Sequence, residues 1–377
     1  METDVIVIGA GPAGLAAAGC LIRRGVHPCV IEKAPQLADS WRHHYERLHL
    51  HTVKALSALP GLPFPAQAPR YVPRQGVVDY LAAYAAHFGI EPVVDEEALR
   101  IERVDDRWQT TAASGRRYTS HQVVLATGAN RWPNRPVFAD EARFEGEILH
   151  SAGYRNPAPF VGRRVLVVGM GNTGAEIALD LAEQGVAVAL SVRGPVNVVY
   201  RDVLGRATQQ TSIALSRLPP VVGDAVARLL CDLTVGDLSR LGLERSRTSP
   251  LRQLREEGRT PVIDVGTLAR IKSGEIGVHP GIERFTPNGV RFVDGREAAF
   301  DAVILATGYH AGIERLFPQG VPPLDDTGMP REVVGQGAHA GVYCVGFDIR
   351  QPGGLLRAIG RQAERVAGMI AARHVGA

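Results

Sequence analysis

The sequence predicts an α/β protein of two units built on one plan, the second inserted into a discontinuous first. Three observations carry that prediction. The opening stretch "DVIVIGAGPAGLAAAGCLIRRGVHPCVIEK" has its order of elements repeated by "RRVLVVGMGNTGAEIALDLAEQGVAVALSVRG" at residues 163–194. A second pair, "HQVVLATGAN" (121–130) and "DAVILATGYH" (301–310), are apolar strands that each end in Ala-Thr-Gly. The length, 377 residues, is more than one ordinary core serves.

Each repeat reads as a buried strand, a glycine turn, a small-residue helix and a second strand. Gly9, Gly11 and Gly14 follow the first strand and open its helix, as Gly169, Gly171 and Gly174 do in the second repeat. In that context the first glycine allows a tight turn and the second lets backbone approach a pyrophosphate. The third brings helix and strand together. Phosphate then meets free N–H groups at the positive helix end. Both units are therefore expected to be Rossmann-like and dinucleotide-binding. Asn172 and Thr173 of the second turn, with Thr127, Thr307 and Gly308 of the Ala-Thr-Gly strands, join the candidate cofactor contacts. The expected boundaries are 1–155 with 298–377 for the first domain and 156–297 for the inserted one.

The second strands end differently. Glu32, followed by Lys33, closes the first, about 20 residues past the glycines. A carboxylate there accepts ribose hydroxyls and repels a 2′-phosphate, which fits FAD or NAD(H). The equivalent place in the second unit reads Ser191-Val192-Arg193, and a guanidinium grips phosphate with parallel charge-assisted bonds. FAD in the first unit and NADPH in the second is the simplest assignment, with hydride passing from one to the other.

Past Glu32 the chain is loop-like and rich in His and Pro. Trp41 stands here among the candidate cofactor contacts. Val77, Val78, Leu81, Tyr84, Ala85 and Phe88 then fall at helical spacing and predict a core-facing helix. His43, His44, His49 and His51 make no helical HxxxH or HExxH pair, and no cysteine joins them, so no metal site is expected. Near the end, "GVYCVGFDIRQPGGLLRAIGRQAERVAGMI" predicts a strand, a glycine turn and a helix beginning near Leu355, whose N-terminus would face a reduced flavin. No nucleophile elbow, Ser-His-Asp pattern or paired-carboxylate motif stands out, as expected where cofactors carry the chemistry.

Composition narrows the classes further. The net charge of +3 is too small to point to nucleic acid or an anionic membrane. Cys20, Cys29, Cys231 and Cys344 form no CxxC pair and read as small buried hydrophobes in a reducing compartment. Signal-peptide features and a bilayer-length apolar run are not seen. The expectation is a cytoplasmic protein acting on a small molecule, with its oligomeric state open.

Between the units lies "FEGEILHSAGY" (144–154), spaced FxGxxxHxxxY. Together with two GxGxxG motifs and the late "LATGY" it resembles the class B flavoprotein monooxygenases, the family of flavin-containing, N-hydroxylating and Baeyer–Villiger enzymes. In that family the segment links FAD and NADPH domains. The resemblance implies that Phe144 and Tyr154 pack a hinge, Gly146 allows a turn and His150 lies near the cofactor crossing. Within the class, "YERLHLHTVKALSALPGLPFP" (45–65), "YVPRQGVVDYLAAYAAHF" and, above all, "GRTPVIDVGTLARIKSGEIGV" (258–278) are similar to the plant YUCCA group. That group converts indole-3-pyruvate to indole-3-acetate with FAD, NADPH and oxygen. His51 stands where the wider family has an asparagine contacting flavin and NADP, and where YUCCA proteins have histidine. The resemblance thus makes His51 and His150 the candidate catalytic residues.

The implied reaction runs through a C4a-(hydro)peroxyflavin. As peroxide anion it attacks the carbonyl of a 2-oxo acid and carbon dioxide leaves; as hydroperoxide it oxidises an amine or sulfur. The alternatives are an N- or S-oxygenating enzyme, or an NADPH oxidase without a dedicated organic substrate. "QPGGLLRAIG" and "VYRDVLGRATQQTSIALSRLPP" depart from the plant pattern, which opens the question of substrate. Arg201, Arg206 and Arg357 are the candidates for holding a substrate carboxylate.

Overall fold

The computed structural model describes residues 1–374. Contacts divide the chain into two compact units: residues 1–43, 52–132 and from 309 onward, and residues 44–51 with 133–308. In the first unit, β1 (Glu2–Ile8) enters α1 (Pro12–Ile22) through the glycine turn. After α1 come β2 (Cys29–Ile31), α2 (Arg74–Phe88), β3 (Ala98–Val104), β4 (Arg107–Ala112) and β5 (Arg117–Leu125). The sheet runs β2–β1–β5–β4–β3, and the late strand Val342–Cys344 pairs with the end of β5 in parallel. Val5, Ile6, Val7 and Ile8 are all buried, as expected of a strand covered on both faces. On α2 the predicted Val77, Val78, Leu81, Tyr84 and Ala85 are buried, whereas Phe88 is half-buried at its end. The C-terminal helix Leu355–His374 starts where expected and packs on α1.

The second unit holds β6 (Glu147–His150), β7 (Arg164–Val168), α3 (Asn172–Glu183), β8 (Ala187–Ser191), β9 (Ile276–His279) and β10 (Ala302–Leu305). These strands form a parallel sheet in the order β9–β8–β7–β10–β6. A small antiparallel sheet, Ile282–Thr286, Gly289–Phe292 and Glu297–Ala299, accompanies it. The units thus share the strand–turn–helix–strand plan and the parallel Ala-Thr-Gly strand, an α/β architecture in both.

The compact units part at other places than the 155/156 and 297/298 read from sequence. The reason is strand pairing. β10 lies between β7 and β6, with Ala302 opposite both Val165 and Glu147, so residues on either side of the inserted stretch are held in the second sheet. Residues 44–51 also belong to the second unit by their contacts. Among the described residues no helix is long and apolar enough to cross a membrane. All four cysteines are free; Cys20 and Cys344 are buried, while Cys29 and Cys231 are half-buried. Burial pushes the Cys20 and Cys344 thiols up to about 12 and Cys231 up to about 11, so none is a ready nucleophile.

Candidate functional site

The first cradle is the turn from β1 into α1. Gly9 has φ +107°, and a Cβ on it would meet the Ala126 carbonyl oxygen at 2.6 Å. A Cβ on Gly14 would lie 2.9 Å from the Gly9 carbonyl carbon and closer still to its oxygen. Around Gly11, by contrast, nothing lies within 4 Å of an added Cβ. Gly11 is also the N-cap of α1, with no side-chain cap and no acid in the first turn. Two glycines therefore serve close packing, and the third leaves open a surface over orphan helix N–H groups, the combination a pyrophosphate needs.

The rest of the first-unit candidates sit around this turn in different ways. Glu32 is 8% exposed, and its carboxylate accepts hydrogen bonds from Ala10 N (2.6 Å) and Ala34 N (3.0 Å). A carboxylate has about four lone-pair positions, so the same group that pins the turn can still receive ribose hydroxyls. Thr127 Oγ1 is buried with no hydrogen-bond partner, a polar atom that a bound ligand would satisfy. Lys33 is exposed, Trp41 half-buried, and Leu355 stands 38% exposed at the first position of its helix. Open Gly11, buried Glu32 and unpartnered Thr127 fit an adenine dinucleotide bearing unphosphorylated ribose.

The second cradle repeats the geometry at the turn from β7 into α3. Gly169 has φ +104°, a Cβ on Gly174 would strike the Gly169 carbonyl, and Gly171 faces open space as an uncapped N-cap. Thr173 is half-buried in the first turn. Asn172, also a candidate cofactor contact, has its side chain engaged within the protein. Its Oδ1 accepts from Ile263 N (2.7 Å), and its Nδ2 donates to Thr260 Oγ1 and the Pro261 carbonyl (3.3 Å each). Thr267 Oγ1 donates to the Ala175 carbonyl at 2.9 Å. The distinctive 258–278 stretch thus braces the helix that forms this cradle. Arg193, two residues past β8, is exposed. An open Gly171 with a guanidinium at the ribose position fits a phosphorylated dinucleotide.

The linker pattern has a physical explanation within the second unit. Phe144 packs against Phe285 with centroids 5.3 Å apart, and a Cβ on Gly146 would reach the Asp301 carbonyl oxygen at 2.8 Å. His150 accepts from Ala152 N at Nδ1 (3.1 Å), and its Nε2 donates to the Gly308 carbonyl (3.2 Å). Burial lowers its pKa, against the raising effect of the Gly308 bond, and Arg135 lowers it further. With one nitrogen accepting and the other donating, the ring is held neutral in a single tautomer. Thr307 Oγ1 donates to the Asn134 carbonyl. His150, Thr307 and Gly308 are thereby brought together. Tyr154 stacks on Phe160 at 5.8 Å and donates to Asp180 at 2.8 Å.

His51 lies on a short strap, residues 44–51, laid on α3. Three acids of α3 (Glu176, Asp180 and Glu183) hold it, spaced to share one helix face. Tyr45 donates to Glu176 Oε1 at 3.2 Å, Arg47 pairs with Glu183 at 2.8 Å, and His51 Nε2 lies 2.6 Å from Glu176 Oε1. That last contact has ion-pair distance, but Nε2 is out of line for a hydrogen bond. Burial, with the Glu176 carboxylate beside it, pushes Tyr45 well above the ordinary phenol range, so it remains a donor. Sequence reasoning missed this group. Its signal was present: acids at every fourth or third position interrupt the otherwise apolar "AEIALDLAE".

Of the three arginines proposed for a carboxylate, Arg201 borders a hollow of about 340 Å³ with Tyr200, Asp264 and Lys272. Arg206 is exposed, and Arg357 donates to the Pro352 carbonyl at 3.4 Å. Among the described residues no cluster of His, Cys, Asp and Glu is arranged to hold a metal.

The model of the flavin-binding monooxygenase-like family matches residues 2–316. The chain is 39% identical over 363 residues to the indole-3-pyruvate monooxygenase YUCCA4 of Oryza sativa subsp. japonica, across 92% of this chain and 83% of that one. It is 41% identical over 310 residues to the indole-3-pyruvate monooxygenase YUCCA1 of the same plant, across 81% and 76% respectively. Among solved structures, it resembles the flavin-containing monooxygenase from Stenotrophomonas maltophilia, with a TM-score of 0.76, 25% identity and 99% of both chains covered.

Proposed function

The chain belongs to the flavin-binding monooxygenase-like family, a flavin-dependent enzyme using FAD and NADPH, and we propose that it oxidatively decarboxylates an aryl 2-oxo acid. Indole-3-pyruvate is the first candidate. The observation that carries the substrate reading is identity of about two residues in five, over most of the chain, to relatives named for that substrate. The balanced reaction takes the 2-oxo acid, oxygen, NADPH and a proton to the carboxylic acid one carbon shorter, carbon dioxide, NADP and water.

FAD is assigned to the first cradle and NADPH to the second, on the contrast between Glu32 and Arg193. Bound flavin supplies activated oxygen, and NADPH supplies the electrons. The chain's own residues bind, orient and exclude water. Gly11 and Gly171 give pyrophosphate access to helix N–H groups. Glu32 and Thr127 receive one adenosine half, while Arg193 grips the 2′-phosphate of the other nucleotide. His150, fixed in its tautomer, ties the linker to Gly308. His51 is assigned a cofactor-contacting role on the resemblance of its segment, 45–65, to the YUCCA group. The four free cysteines are in keeping with a cytoplasmic setting.

A panel of 2-oxo acids, amines and thioethers tests the reading through substrate-dependent oxygen uptake with NADPH. Aryl 2-oxo acids are expected to raise product per NADPH toward unity. Coupling to an amine or thioether alone would replace decarboxylation with heteroatom oxygenation. Immediate peroxide release with every compound would make the protein an oxidase.

A further inference from the structure

We propose that Glu176 is a positioning residue for His51, a single carboxylate oxygen clasping both ends of the strap. This rests on the reading that His51 meets the bound cofactors. Tyr45 and His51 sit near opposite ends of residues 44–51, and both converge on Glu176 Oε1, at 3.2 Å and 2.6 Å. Glu176 is 2% exposed, and a carboxylate that deep persists only where partners compensate its lost hydration. The neighbouring acids are already engaged. Asp180 accepts from Tyr154 at 2.8 Å and lies 3.9 Å from Arg47, and Glu183 holds Arg47 at 2.8 Å. Glu176 is left to Tyr45 and His51.

The consequence is positional. Glu176 lies on α3, five residues past Gly171, so the helix that forms the second cradle also fixes the imidazole. A side chain mounted on a rigid element beside the nucleotide it serves is held more precisely than one on a free loop. The Nε2 contact is short but off line, and such contacts commonly tighten when ligands bind. Tyr45 supplies the second anchor, so the strap cannot pivot about the His51 contact alone.

The test is a double-mutant cycle with Glu176→Gln, His51→Ala and the double variant, in FAD-loaded protein. Product and peroxide per NADPH, the KM for NADPH, bound FAD and melting temperature are measured for each. Glu176→Gln keeps an oxygen near Tyr45 but loses the charge opposite His51. It is expected to lower coupled turnover about tenfold in favour of peroxide, with FAD content and the KM for NADPH within about twofold of wild type. The double variant should then be no worse than His51→Ala alone. Glu176→Asp keeps the charge and should recover part of the coupling, which a purely structural loss would not allow. Multiplying losses in the double variant, or wild-type coupling in Glu176→Gln while His51→Ala is impaired, would overturn the proposal and leave the His51 reading standing. A folded, yellow His51→Ala variant with wild-type coupling would instead overturn the reading on which the proposal rests.

Discussion

Replacing Gly11 and Gly14 separately by alanine separates cofactor binding from folding in the first cradle. At Gly14 the added methyl would lie 2.9 Å from the Gly9 carbonyl carbon and nearer to its oxygen, so α1 must retreat by on the order of 1 Å. Overpacking of this kind costs about 1–3 kcal/mol. Gly11 has φ −80° and ψ −172°, ordinary extended backbone, and its Cβ would meet nothing within 4 Å. Alanine there should cost the apoprotein at most about 1 kcal/mol as a poorer N-cap. The same methyl occupies the space through which pyrophosphate approaches. A hundredfold loss of FAD affinity would remove about 2.3 of the roughly 2.7 kcal/mol of ligand-linked stability that a hundredfold excess of FAD over Kd provides. Flavin absorbance after gel filtration, with melting curves with and without added FAD, gives both quantities. Gly14→Ala should melt lower in both states, and Gly11→Ala should fall short only when FAD is present. A folded Gly11→Ala protein with full FAD would refute the assignment of this turn.

Arg193→Ala should raise the KM for NADPH about tenfold to a hundredfold and leave NADH use nearly unchanged, because one charge-assisted contact is lost; equal effects on both would make the arginine structural. His150→Ala removes both the Ala152 and Gly308 bonds, so flavin reduction by NADPH should slow, by up to about a hundredfold if the linker moves 1 Å, while FAD stays bound; unchanged stopped-flow reduction would remove the linker from the reaction. Asp325 has its carboxyl lowered to about 2 by Thr327, Met329 and Arg350, which overcome its burial. A lowered carboxyl stabilises the fold above the unfolded value near 4 and loses that contribution as pH falls toward 2. Asp325→Asn should therefore cost about 2 kcal/mol at neutral pH, with the cost shrinking to a small fraction of that as pH falls through 2; a cost independent of pH in denaturant titrations would contradict the pairing.

The repeated strand–turn–helix was legible because a double-covered parallel strand writes itself as an apolar run, and because glycine is required where backbones nearly touch. The linker pattern was legible as a motif but not as mechanics. Only the structure gives Tyr154 its acceptor Asp180 and His150 its two backbone partners. The contact-defined units part elsewhere than 155/156 and 297/298 because parallel strands pair across long separations, and β6 and β10 look alike whichever sheet they join. That the Asn172 side chain ties α3 to residues 260–263 was not legible from its place in the glycine turn. The strap escaped notice for a related reason. Its partners Glu176, Asp180 and Glu183 are more than a hundred residues away in sequence, and local spacing could not say what those acids would meet.

The most direct test of the central claim is product stoichiometry under heavy-isotope oxygen with NADPH and indole-3-pyruvate. Catalase must be present, because free peroxide decarboxylates 2-oxo acids without an enzyme. Nearly one indole-3-acetate and one carbon dioxide are expected per NADPH consumed, with one labelled oxygen in the product carboxylate. Full NADPH consumption with the 2-oxo acid recovered intact would contradict it.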